Sequence, residues 1–361
     1  MPVEPGGRDG RCTSHIERPF AVFSLVDASL YLADLDIWVD SMRPRERGYV
    51  SHGHADHARE HRTVIATPNT AAICRVRFGK RARRPMQTSF LEKRGPRPPC
   101  AFEERAFNEP WDEGDHRLTL FSAGHVLGSS QLLVEGDRGR FVYTGDFKLE
   151  TSLTCEPPEV KPCDVVLMEC TFGRAQYVFP PREELHGEMI GFARRALEAG
   201  GTPVFFAYSL GKSQEAIAIL GGAGLPVTVH PAIAAMADVY VAQGVALPAY
   251  AAYDEATYDP DTVLVWPPGG RGLPRALRGR HKRTAVLTGW AMDRSVSYRY
   301  GADRAFALSD HADFPALLKY LELARPRKVL LNHGFKDFVV RVRAAGYDAE
   351  FLEEHAQLPL F

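Results

Sequence analysis

The six positions His52-Gly53-His54-Ala55-Asp56-His57 hold three imidazoles and a carboxylate, and a run this dense in donor atoms constrains the whole chain. If Tyr49-Val50-Ser51 ends a strand, residues two apart point the same way, so His52 and His54 grip one metal ion. Asp56 and His57, one turn further on, then face a second ion. A nitrogen and oxygen donor set of this kind suits zinc, with manganese or iron as alternatives, and two adjacent ions can share a hydroxide. The chemistry indicated is metal-assisted hydrolysis.

Further donors are spread along the chain. His125 in Ala123-Gly124-His125-Val126, Asp146 in Tyr143-Thr144-Gly145-Asp146 and His333 in Asn332-His333-Gly334 each follow a strand-like apolar run and stand beside glycine, which lets backbone approach a crowded centre. Taken singly, such residues are more often structural. Together they divide into two sites: His52, His54 and His125 in one, Asp56, His57 and His333 in the other, with Asp146 bridging through its two oxygens. Glu169, after Val165-Val166-Leu167-Met168, and His311, in Ser309-Asp310-His311-Ala312-Asp313, remain. Imidazole held by a carboxylate is the usual proton source for a leaving alkoxide near neutral pH, so His311 is assigned as general acid, oriented by Glu169.

At 361 residues the chain exceeds one ordinary core, and two domains, or one with a large insertion, are expected. Short apolar runs dominate up to Met168, whereas from about Arg182 longer helical periodicity alternates with strands, as in an α/β unit with a parallel sheet. A net charge of -1 excludes polycation behaviour but allows a local basic groove. Cysteines at 12, 74, 100, 155, 163 and 170 lack zinc-knuckle or redox spacing, and most read as buried thiols. With no signal-peptide pattern and no membrane-length apolar run, a cytoplasmic location is expected. Residues 1–14 read as a flexible leader.

In their order, the run at 52–57, Gly124-His125, Gly145-Asp146, Glu169-Cys170-Thr171-Phe172-Gly173, Ser309-Asp310-His311-Ala312-Asp313 and Asn332-His333-Gly334 resemble the motifs of the metallo-β-lactamase superfamily, and specifically of its β-CASP nuclease branch. The resemblance implies an α/β fold: an αββα sandwich over 15–177 and 304–361, split by an inserted β-CASP domain at 178–303, with the active site in the cleft between. It implies two divalent metal ions, zinc before manganese, and catalytic roles for Asp56, Glu169 and His311. Asp40 matches an aspartate that supports the metal-binding loop. Within the branch, the Asp40 to Pro44 pattern and compact length resemble bacterial DNA exonucleases associated with ligase and helicase genes, which would make those enzymes pathway partners. His333 resembles instead the RNA-cleaving members, such as RNA 3′-end processing factors and ribonuclease J. A non-catalytic nucleic-acid-binding subunit and a small-molecule hydrolase are the competing readings; the complete ligand set argues against the first, the insertion against the second.

A single-stranded DNA or RNA substrate needs a cationic track. Arg75, Arg77, Lys80, Arg81, Arg83 and Arg84 form one concentration, with Arg81 and Arg84 the chosen contacts, and residues 275–283 form another. Ser209-Leu210-Gly211-Lys212-Ser213 resembles part of a Walker A loop, but Phe206 occupies the position of its first glycine. Ser209 and Lys212 are therefore expected to meet a substrate phosphate at a helix start rather than ATP.

Overall fold

The computed structural model describes residues 24–26, 29–82, 100–268 and 272–352. The leader, Cys12, Arg83 and Arg84 lie outside the described residues, as do the side chains of Lys80 and Arg81. In the first part of the chain come β1 (Ser24–Val26), β2 (Ser29–Leu32), β3 (Ile37–Val39), β4 (Arg47–Tyr49), β5 (Thr63–Ala66), α1 (Pro68–Ala82), β6 (Ala101–Glu104), β7 (Trp111–Glu113), β8 (His116–Ser122), β9 (Ser130–Gly136), β10 (Gly139–Tyr143) and β11 (Val165–Cys170). There follow α2 (Arg182–Glu198), β12 (Thr202–Phe206), α3 (Lys212–Gly222), β13 (Val227–Val229), α4 (Pro231–Ala242), β14 (Ala251–Ala252), β15 (Val263–Trp266), β16 (Lys282–Leu287), α5 (Val296–Tyr300) and β17 (Arg304–Phe306). Last are α6 (Phe314–Ala324), β18 (Lys328–Gly334), α7 (Phe338–Ala344) and β19 (Asp348–Phe351).

β1 to β6 form one sheet in chain order, and β19-β18-β11-β10-β9-β8-β7 form a second. Alternation along β11 shows how they pack. Val165 and Leu167 join Tyr49, Ile65, Leu118 and Leu120 between the sheets, while Val166, Met168 and Cys170 meet Leu317, Tyr320 and Leu321 of α6 and Phe338 of α7 on the outer face. Cys74 and Phe78 of α1 cover Val64 and Ala66 of the first sheet. The result is an αββα sandwich. α1 runs on through Lys80, Arg81 and Ala82, which are good helix formers.

An inserted α/β domain separates β11 from its parallel neighbour β18. Its sheet runs β14-β13-β15-β12-β16-β17, with every pairing parallel. Leu185, Met189, Ile217, Leu220 and Ile233 from α2, α3 and α4 bury one face; Val296 of α5 helps bury the other, over Phe206 and Trp266. No described helix is long and apolar enough to cross a membrane.

β18 continues past the apolar run through Asn332-His333-Gly334. Glu169 pairs with Asn332 but Cys170 with Gly334, a slip of one residue that leaves His333 in a bulge at φ 45°. Strict alternation would send His333 toward α6 and α7; the bulge redirects it. Gly334 is required here, because a Cβ would fall 1.9 Å from the Cys170 carbonyl oxygen.

Gly334→Ala is therefore expected to destabilise the fold by roughly 2–4 kcal/mol in urea unfolding, since backbone must move to admit the methyl. A second expectation concerns His61, whose Nδ1 accepts the Arg45 N–H at 3.1 Å and whose Nε2 is buried without a hydrogen-bond partner among the described residues. Burial lowers its pKa to about 4. A lowered folded-state value means the unfolded chain takes the proton first, so His61 contributes stability above its ordinary value, lost as pH falls toward 4. The loss amounts to roughly 2–3 kcal/mol. Urea titrations between neutral pH and pH ~4.5 should show a shallower acid slope for His61→Gln than for the native chain; equal slopes would remove His61 as the cause.

Candidate metal centre

The donors sit at or just past the carboxyl ends of β4, β8, β10, β11 and β18, with His311 between β17 and α6. Asp40 organises the first of these loops. Its Oδ1 accepts the Ser51 N–H at 2.7 Å, and its Oδ2 accepts the Ser51 hydroxyl at 2.5 Å, the Tyr143 hydroxyl at 2.8 Å and lies 2.8 Å from His57 Nδ1. One helical turn, with the Ala58 N–H on the His54 carbonyl at 2.8 Å, brings His57 back beside His52. Their ring centroids are 4.2 Å apart. At Gly53 a Cβ would fall 2.5 Å from Ile73 Cγ2, so the loop closes onto α1 only with glycine there.

Asp146 is the centre of the assembly. Its Oδ2 lies 3.4 Å from His57 Nε2, 3.6 Å from His52 Nε2, 3.9 Å from His125 Nε2 and 4.0 Å from His311 Nε2. His125 Nε2 is also 3.0 Å from His54 Nδ1, and the His57 and His333 rings are 5.3 Å apart. One donor atom each from His52, His54, His125 and Asp146 falls within 4.8 Å of the others, as do those of Asp40, His52 and His57, and of Asp146, Glu169 and His311.

Charge states follow from burial and neighbours. Burial, followed by the facing imidazoles of His57 and His125, holds His52 well below the usual histidine range. Burial lowers His125 and His54 too, against the pull of Asp310. Neutral imidazole is the metal-binding form. For His57, burial is outweighed by Asp146 and Asp40, which raise it well above the ordinary value; Asp146 is lowered well below its own, chiefly by His57 against the cost of burial. His311 Nδ1 lies 2.8 Å from Glu169 Oε1, and that carboxylate with Asp146 overcomes burial to raise His311 to about 9.

These residues fit divalent cations. His52 Nε2 is buried with no hydrogen-bond partner among the described residues, facing a carboxylate oxygen and other imidazole nitrogens. A group of nitrogen and oxygen donors converging without protons to share is what a bound cation would satisfy.

The structure gathers His52, His54, His57, His125, Asp146, Glu169, His311 and His333, with Asp40 behind them. Asp56 is exposed and, among the described residues, falls in none of these tight donor groups. Lys212, expected to meet substrate phosphate, is buried with its ammonium on the Asp310 carboxylate. Ser209 is half-buried, its carbonyl accepting from Gln214 Nε2 at 3.2 Å. The Arg81 side chain and Arg84 lie outside the described residues. Sequence reasoning missed Asp310, Lys148 and Glu215, buried charges beside the donor loops. The three-residue spacing of Lys212 and Glu215, which puts both on one face of a helix, was the available signal.

Residues 41–206 match the family described as the beta-lactamase superfamily domain. The chain is similar to a "Probable DNA ligase" of Opitutus terrae, with 38% identity over 334 residues, 92% of this chain and 31% of that protein. It is also similar to "RNase aCSPSF2" of Saccharolobus solfataricus, with 30% identity over 117 residues, 32% of this chain and 23% of that protein. The chain thus spans less than a third of the length of either relative. A solved protein of unknown function from Enterococcus faecalis shares the fold at TM-score 0.55 and 16% identity, over 86% of this chain and 80% of that one. With its matched domain, its sandwich split by an inserted α/β domain and its donor motifs in order, the chain carries a beta-lactamase superfamily domain and is similar to the β-CASP members of that superfamily.

Proposed function

We propose that this protein hydrolyses phosphodiester bonds in nucleic acid, using two divalent ions, zinc first. The observation that carries the reading is the Asp146 carboxylate set among imidazole nitrogens at 3.4–4.0 Å, with His311 beside it and anchored to Glu169. His52, His54 and His125 would hold one ion and His57, Asp56 and His333 the other, with Asp146 shared. Bound ions supply an acidified water and offset charge on the phosphorane-like transition state. The side chains do the rest. Asp40 keeps the His57 ring oriented through Nδ1, and Glu169 holds His311 so that Nε2 faces the centre. Glu169 and Asp146 favour the protonated form of His311, which could deliver its proton to the departing 3′ or 5′ oxygen.

DNA exonucleolysis in a ligase-associated repair pathway is the favoured role, supported by similarity to a ligase-named protein along nearly the whole chain. Ligase and helicase would be its pathway partners. His333 and the similarity to an RNase support RNA processing as the second reading.

The test uses end-labelled single-stranded DNA and RNA, with and without 5′ phosphate, and zinc- or manganese-loaded protein. A shortening ladder on DNA supports the favoured role, preferential RNA cleavage the second, and no cleavage of either refutes the hydrolytic reading. Asp146→Ala should lose cleavage and bound metal, measured by elemental analysis, while retaining far-ultraviolet dichroism. His311→Ala should lower kcat by about 10²–10⁴-fold with little change in substrate affinity; a loss confined to affinity would rule it out as the acid.

A further inference from the structure

The first turn of α3 reaches from the inserted domain to the donor-bearing loops with two buried charges on one helix face, Lys212 at 8% and Glu215 at 3% exposure. Lys212 pairs with Asp310. Glu215 accepts the Ser152 hydroxyl at 3.2 Å, pairs with Arg182, and lies 3.9 Å from the Lys148 ammonium. Lys148 in turn donates to the Ser309 carbonyl at 3.2 Å. The inserted domain thus grips Asp310 directly and Ser309 through one intermediary.

That grip continues into the centre. The Asp310 carbonyl oxygen lies 2.7 Å from His125 Nδ1, so the backbone held by Lys212 also sets the orientation of His125. One residue on, His311 is fixed to Glu169 at 2.8 Å. Gly211, at φ 86°, leaves no slack in the junction: a Cβ there would fall 2.7 Å from Val126 Cγ1 and 3.0 Å from Asp310 Oδ2. A buried ion pair adds little stability over apolar residues of equal volume. What it adds here is a fixed register between two parts of the fold.

We propose that Lys212 and Glu215 are positioning residues: through Asp310 and Lys148 they set the backbone of residues 309–311, and with it the placement of His311 and His125. The effect on turnover rests on the hydrolytic reading above; the effect on ring placement does not.

The experiment compares the native chain with Lys212→Met, Lys212→Arg and Glu215→Gln, zinc-loaded and at full length. Lys212→Met should lower kcat by about 10²-fold, as expected for a misplaced reacting group, with KM within about threefold. Lys212→Arg, which restores the charge, should recover at least about tenfold of that loss, and Glu215→Gln should lower kcat by about tenfold or more. Independently of turnover, ¹⁵N-histidine spectra of Lys212→Met should show displaced His125 and His311 ring signals and an undisturbed His61. Reduced thermal stability with unchanged kcat and unmoved rings would make the pair merely structural and overturn the proposal. A rise in KM alone would make Lys212 a substrate contact and overturn it too. If Lys212→Met does not fold, Lys212→Arg and Glu215→Gln decide by the same two readouts. If the native chain cleaves nothing, the hydrolytic reading fails, while the ring signals still decide whether the latch orients the loop.

Discussion

One carboxylate, Asp146, has to sit among imidazoles that are nearly all withdrawn from water, and the fold is arranged to make this possible. A buried carboxylate is tolerated only with compensating donors or cations. Around Asp146 the compensation comes chiefly from His57 and His311, whose pKa values its charge helps to raise, while burial lowers those of His52, His54 and His125. The site therefore combines groups that stabilise its negative charge with groups left free to bind a cation. Behind the cluster, the carboxylates of Asp40 and Glu169 orient His57 and His311, and the backbone carbonyl of Asp310 orients His125.

This concentration of charge is built on apolar strands. β10 and β11 are buried where they pass through the sandwich, so their polar residues can occur only where the strands run out. Glu169 follows the parity of Val165 and Leu167, so it lies on the inter-sheet face at the end of the strand, beneath the loops that carry the histidines. The layered core thus does more than stabilise: it sets the direction in which each ligand leaves its strand. The bulge at His333 is the exception, where the regular alternation is broken to bring in one more ring.

The features legible in the sequence were those with local signatures. The 52–57 run, the glycine-flanked His125 and Asp146, and the acidic residue ending the β11 run could be read from strand parity and donor chemistry alone. Lys212 was read as a phosphate contact because a helix start following a polar loop has that signature; its partner Asp310 lies about a hundred residues away and no local pattern joins them. The bulge at His333 was not legible, because a one-residue slip between strands depends on what the neighbouring strand does, not on the sequence around it.

β11 and β18 are neighbours in space but are separated in the chain by the whole inserted domain. A polypeptide emerging from the ribosome presents His52, His57, His125 and Asp146 long before His311 and His333 exist. Through that interval the β11 edge has no β18 beside it and the cluster has neither of its late histidines. The donor cluster is thus completed only with the last part of the fold, so a chain halted midway holds the early histidines and Asp146 without the two late rings.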